Sequence, residues 1–180
     1  NETEAKKVFC EELGGTLKTV AKDAKAGVTF TENVAKYRLI GYDTKIISED
    51  DFNDEDADTG EIGSNLSVVA LYEIVLSDGA DGKLADVEIK YKDVTGEGEI
   101  SESVDAQVYT YTPASDDLTF AGCVAEFGLI LRQSEYKGSA SYGGVIQRLG
   151  QLQDYIADDV YKKEFISLVG KASENAARRR

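Results

Sequence analysis

The residues best equipped for chemistry in this chain are carboxylates. Glu49, Asp50, Asp51, Asp54, Glu55, Asp56 and Asp58 crowd residues 48–64, a segment that ends in Gly60-Glu61-Ile62-Gly63. Hard cations such as calcium take several carboxylate oxygens. Asp54, Asp56 and Asp58 fall at the first, third and fifth positions of an EF-hand-like frame. The frame then fails, because Thr59 stands where the turn needs glycine and Asn65 where a bidentate glutamate is needed. No metal is expected, and the segment reads as an exposed acidic loop. Asp54, Asp56 and Asp58 are its only calcium candidates. Glu49, Asp50, Asp51, Asp54, Glu55 and Glu61 are the candidate contact surface for a basic partner.

The remaining chemistry is sparse. Glu126 and Glu135 flank Arg132 on one predicted helix. Paired carboxylates do acid–base work only at suitable separation and with shifted pKa values, and ion pairing with neighbouring helices is the simpler reading. The chain has no histidine, which removes the commonest general base and the commonest metal ligand. Serine chemistry would then need a lysine base, and no Ser-x-x-Lys pattern sits at a plausible elbow. Helix ends and N-caps account for the hydroxyls of Ser134, Ser139 and Ser141. Gly143-Gly144 lacks the lysine and hydroxyl of a phosphate loop. Cys10 and Cys123 are the only cysteines. Both fall in predicted helices and read as buried free thiols in preference to a disulfide, so a zinc site cannot be assembled. Catalytic residues, cofactors and enzyme activity are therefore not expected.

The bulk composition agrees. Acidic residues outnumber basic ones, 34 to 20, for a net charge of −14 in 180 residues. That field repels phosphate backbones, so nucleic acid is not an expected partner. No apolar run approaches the roughly 18 residues that span a bilayer. Apolar residues at 42% and charged residues at 30% describe a folded chain and not a disordered one. Many of the 10 tyrosines lie on or beside strand signals, where packing with a wet hydroxyl is the default and an aromatic platform for glycans or peptides the rarer use. A chain that opens Asn1-Glu2-Thr3 without methionine reads as an excised piece of a longer protein, whose upstream part could carry a signal or lipid anchor.

The elements that must position these residues follow from periodicity. Residues 2–13 carry a helical stripe closed by Gly14-Gly15. Thr16–Val20, Val28–Phe30 and Tyr37–Tyr42 read as short strands. After the acidic loop, strand signals return at 66–76, 84–91 and 99–109, separated by Asp78–Gly82 and Gly96-Glu97-Gly98. They predict an antiparallel meander. Within it, Glu88, Lys90 and Lys92 should form a wet face opposite Val87, Ile89 and Tyr91. Pro113, with Thr112 as cap, marks the switch to helix. Phe120, Val124, Phe127, Gly128 and Leu131 outline one apolar face, ended at Gly138. Two further helices carry Tyr142, Val145, Leu149 and Leu152, then Tyr161, Phe165, Leu168 and Val169. Strands first and helices last predict an α+β protein: an antiparallel β-sandwich of about six strands followed by a C-terminal three-helix segment.

Several stretches taken in order carry a resemblance. They are Tyr37-Arg38-Leu39-Ile40-Gly41-Tyr42, Asp51-Phe52-Asn53-Asp54, Gly60-Glu61-Ile62-Gly63, Ala70-Leu71-Tyr72-Glu73, Val124-Ala125-Glu126-Phe127-Gly128 and Leu131–Gly138. Over nearly the whole chain this set resembles the C-terminal domain of unknown function that follows the von Willebrand factor A domain in YfbK-like bacterial envelope proteins. The spacing departs from the family between Phe30 and Tyr37, where it is a residue short. The resemblance implies that residues 1–22 are the tail end of the A domain, its last helix and exit strand. Residues 23–112 would then be the β-sandwich and 113–175 the helical segment. It also implies a place in the bacterial cell envelope, extracytoplasmic or lipid-anchored. The expected partners are the protein's own A domain and an unidentified envelope protein. The A domain's Asp-x-Ser-x-Ser metal pattern is absent here, so no metal residue carries over. The function expected is a non-catalytic interaction or scaffolding module; the alternative is a calcium-dependent adhesion or surface module using loop 49–61.

Overall fold

A break in contacts divides the chain into two units, Asn1–Thr110 and Tyr111–Arg180. The computed structural model describes residues 18–41, 46–57, 59–64, 66–95, 98–107 and 114–178. The expected helix at 2–13 with Cys10, the calcium candidate Asp58, Asn65, Thr112 and Pro113 lie outside the described residues, and the helix expected to start at Thr112-Pro113 begins instead at Asp116 with Ser115 as its cap.

The first unit holds β1 (Thr19–Phe30), β2 (Val34–Ile40), α1 (Glu49–Asn53), β3 (Ile62–Gly63), β4 (Leu71–Leu76), β5 (Lys83–Lys92) and β6 (Glu99–Gln107). These make two antiparallel sheets, a four-stranded one in the order β3-β1-β5-β6 and a two-stranded one of β2 and β4. Phe30 of β1 links them. Its ring centroid lies 4.3 Å from that of Tyr37 on β2 and 5.4 Å from that of Tyr72 on β4, aromatic contacts that add to simple burial. The α+β class and antiparallel strands are those the sequence predicts.

Three expectations are corrected. The strand expected at 28–30 and the last two residues of the one expected at 16–20, Thr19 and Val20, belong to one 12-residue strand. It stays continuous through a bulge, because pairing steps from Lys22↔Lys92 to Lys25↔Lys90 while Asp23 sits at φ 51. The extra residue re-aims the side chains that follow, and aspartate tolerates the left-handed region better than most residues. The predicted meander is also incomplete. β5 and β6 form a hairpin, but β4 pairs with β2. The link between β4 and β5 is bonded to the turn between β1 and β2. Ser77 N–H donates to Asn33 O at 2.9 Å, Ser77 Oγ to Glu32 O at 2.7 Å, and Asn33 Nδ2 to Asp81 O and Lys83 O, each at 2.8 Å. Those bonds make the link a crossover between sheets. Finally, the Glu88, Lys90 and Lys92 face of β5 is not the wet one. The side chains of Lys90 and Lys92 are largely covered, whereas Ile89 is exposed.

The second unit holds α2 (Asp116–Leu131), a 3-10 turn (Glu135–Lys137), α3 (Tyr142–Leu149), α4 (Gln153–Ile156) and α5 (Val160–Arg178). The three expected helices appear as α2, α3 and α5. Serines close the helix starts: Ser115 Oγ accepts Leu118 N–H and Ser141 Oγ accepts Gly144 N–H. Cys123, Val145, Leu149, Leu152, Ile156 and Val169 form the core, flanked by Phe120, Phe127, Tyr142 and Phe165. Cys123 is a free, fully buried thiol. The predicted stripe on α2 is thus half right. Phe120 and Phe127 face the core with Cys123 and Ile130, while Val124 and Leu131 are 43% and 54% exposed. This helix is apolar nearly all round, so periodicity alone could not choose its buried side.

Asp159 closes the start of α5. Its Oδ1 accepts the N–H groups of Tyr161 at 2.9 Å and Lys162 at 3.0 Å. The bond from the Lys162 backbone, helped by that of Tyr161 and by the Lys162 ammonium, holds its carboxyl below the usual aspartate range. A depressed folded pKa contributes stability above the ordinary value of 3.8, and that stability is lost as pH falls through the lower folded value. Asp159→Ala is expected to cost about 1 kcal/mol at pH 7. The gap from wild type should close in acid, as read by urea melts at a series of pH values.

Candidate functional site

The acidic segment is not a free loop. Ser48 caps a single helical turn: its Oγ accepts Asp51 N–H at 3.0 Å and donates to the Asp51 carboxylate at 2.7 Å. Three acidic residues at the positive end of that turn, Glu49, Asp50 and Asp51, complete a favourable N-terminus. Farther on, Asp54 Oδ1 accepts Asp56 N–H at 2.9 Å and closes an Asx turn.

The other end of α1 is held from below by Lys25 of β1. Lys25 is 4% exposed, the only buried charged residue among those described. Its Nζ donates to the main-chain oxygens of Asp51 at 3.4 Å, Phe52 at 3.3 Å and Asp54 at 2.5 Å, and lies 3.3 Å from Glu99 Oε2 on β6. Helix C-terminal carbonyls have no partner within the helix and carry partial negative charge. A buried ammonium there satisfies both ends of the interaction.

Phe52 supplies the apolar part. Its ring lies over Gly27, so close that a Cβ built on Gly27 would sit 2.9 Å from Phe52 Cζ. Lys90 Nζ lies 4.6 Å from the ring centroid and donates to Asn53 Oδ1 at 3.1 Å. The returning chain is pinned at the bulge, where Ala24 N–H donates to Gly60 O at 2.9 Å and Thr59 Oγ1 to Ala24 O at 3.3 Å. Lys92 Nζ sits 3.0 Å from Asp23 Oδ2. That bond raises its pKa, with smaller contributions from the charges of Asp56 and Glu55. Lys25, Lys90 and Lys92 thus surround the turn and its exit, while Glu49, Asp50, Asp51 and Glu55 are exposed, Asp51 with one carboxylate oxygen on Ser48 Oγ.

Of the predicted contact residues, Glu49, Asp50, Asp51, Asp54 and Glu55 belong to this one turn and its exit. Glu61 stands apart at the start of β3, accepting from Thr19 Oγ1 at 3.0 Å. Of the calcium candidates, Asp54 spends a carboxylate oxygen on the Asx turn and its carbonyl on Lys25. Among the described residues no group of three or more acidic or cysteine side chains is placed to hold a metal ion. Glu126 and Glu135, expected on one helix, lie on separate elements and do not share a site. Glu126 on α2 ion-pairs with Arg148 on α3, and Glu135 is exposed in the 3-10 turn.

Sequence reasoning missed Lys25, Gly27 and Phe52 as the supports of the turn. The helix start was missed as well, because the segment reads as a loop; the signal for it was Ser48-Glu49-Asp50-Asp51, which has the spacing of a capped first turn. Lys25 carries no local signal, because its carbonyl partners lie 26 to 29 residues away along the chain and Glu99 lies farther still.

Comparison with known proteins agrees with the resemblance. The family model for the C-terminal region of the uncharacterized protein YfbK matches residues 15–86 and 77–174. The uncharacterized protein YfbK of Escherichia coli (strain K12) is 31% identical over 186 aligned residues. That alignment covers 93% of this chain but 32% of the relative, so the chain spans about a third of the length of the curated relative it matches. No solved structure matches. Among the described residues no helix is long and apolar enough to cross a membrane.

Proposed function

The chain belongs to the YfbK C-terminal family, and from that membership we propose that it is a non-catalytic interaction module of a von Willebrand factor A-type envelope protein. It packs against the A domain and offers the acidic turn to a basic protein partner. The observation that carries this reading is the organisation of residues 48–57. A run of like charges is normally a mobile, solvated loop. Here buried Lys25, the Phe52–Gly27 contact and Lys90 hold it in one shape, with Glu49, Asp50 and Asp51 exposed. Ordering like charges is unfavourable, and a fixed acidic surface is what complementary docking uses.

A second surface suits the A domain. Where β1 begins, its pairing with β3 is extended by Ser64 N–H to Lys18 O at 2.8 Å. Val20 and Leu66, both exposed, lie at this end, and Val68 and Val69 follow, also exposed. Exposed apolar side chains along these stretches suit cover by a neighbouring domain.

The test is affinity capture with the wild-type chain and with the triple variant Glu49→Lys, Asp50→Lys, Asp51→Lys. A basic partner retained by the wild type should bind the variant about tenfold or more weakly, and its wild-type binding should fall steeply with added salt. Equal capture by both proteins would remove the acidic turn as the contact surface.

A further inference from the structure

The segment with the most calcium-like composition in this chain is held by a cation that the chain itself supplies. We propose that Lys25 is a built-in counter-ion, its ammonium giving the 48–57 turn the order that a bound metal ion gives an acidic loop, so that the turn keeps its shape without an ion from solution. The donor set makes the case. Three main-chain carbonyls and one carboxylate converge on Nζ, at 3.4, 3.3, 2.5 and 3.3 Å. Hard oxygens in that combination are what calcium sites use. The ammonium brings one positive charge and three donors on a flexible stem, and the Lys25 side chain is fully buried.

The surroundings fit a fixed ion. Glu99, the one carboxylate on Lys25 among the described residues, is itself largely covered and lies 3.9 Å from Lys90 Nζ through its other oxygen. The bulge at Asp23 lies just before Lys25 in the strand, and the chain leaving the turn is bonded to that bulge at Ala24. Thus β1 supplies the cation, β6 the counter-charge and α1 the carbonyls. A turn built this way would present its outer carboxylates equally in the presence and absence of calcium. This inference concerns the order of the turn and holds whether or not a partner binds it.

The experiment reads the turn directly, without any partner. In the wild-type chain, cleavage by a glutamate-specific protease at Glu49 and Glu55 should be slow and unchanged by a chelator or by added calcium. Amine acetylation should modify Lys25 roughly a hundredfold more slowly than the exposed Lys36 and Lys163, because the reagent must wait for local opening. Lys25→Met keeps the stem's bulk and removes the charge. It should speed cleavage at Glu49 and Glu55 about tenfold or more, since three carbonyls lose their donor. Three results would overturn the proposal: wild-type protection in Lys25→Met, acetylation of Lys25 as fast as that of Lys36, or calcium-dependent protection of the wild-type turn. Should Lys25→Met fail to fold, the wild-type acetylation and calcium measurements decide alone.

Discussion

Leu149→Ala is expected to cost the helical unit about 3 kcal/mol and to leave it near its unfolding midpoint at moderate temperature. Leu149 is 2% exposed in the centre of that unit, surrounded by Cys123, Val145, Leu152, Ile156 and Val169. Truncation removes its transfer energy and leaves a cavity that the packed aromatic rings of Phe120, Phe127 and Phe165 cannot readily fill. The unit spans residues 111–180, and a domain of that size has only a few kcal/mol in reserve. At about 4–8 °C per kcal/mol, the loss is roughly 12–24 °C in Tm. Helical circular dichroism reads the change. Leu131→Ala is the control, because the sequence pattern places Leu131 in the core while the structure leaves it more than half exposed; it should cost under about 0.5 kcal/mol. If the two variants melt together, the assignment of the buried face of α2 is wrong.

Gly27→Ala is the second large effect, and its sign is informative. On a free strand, alanine would stabilise by about 0.4–1 kcal/mol through the unfolded state. Here the added methyl meets the Phe52 ring at 2.9 Å, and overpacking of this kind costs about 1–3 kcal/mol. The neighbours restrict the ring's retreat, with the Lys90 ammonium against it and the Phe52 carbonyl bonded to Lys25. A net destabilisation of the β unit is therefore expected in urea melts, partly reversed by adding Phe52→Leu, since the two positions share one contact. A more stable Gly27→Ala protein would mean that the acidic turn is not docked on the sheet.

Leu149 was legible in the sequence as part of an apolar helix face, and Gly27 was not. The helices at Tyr142–Leu149 and Val160–Arg178 were legible because their apolar residues recur at helical spacing and their caps lie next to them in the chain. β2, β4, β5 and β6 were legible as strands from β-branched and aromatic runs. Their pairing was only partly so. Nothing local tells Leu71–Leu76 to join Val34–Ile40 and leave Lys83–Lys92; Asn33, Thr31 and Ser77 decide it through bonds between segments some 45 to 52 residues apart.

The candidate site divides in the same way. Its carboxylates, the Ser48–Asp51 spacing of its cap and the lack of histidine are properties of composition and short spacing, which the chain carries in any conformation. That the acidic run becomes an ordered turn depends on β1 being bulged, on glycine standing under Phe52, and on Lys25 meeting Asp54 and Glu99 from the far side. A buried charge is stable only where partners from distant parts of the chain converge on it. Such convergence exists only in three dimensions, so the amino-acid order determined which groups this protein has, and the tertiary fold decided which of them face one another.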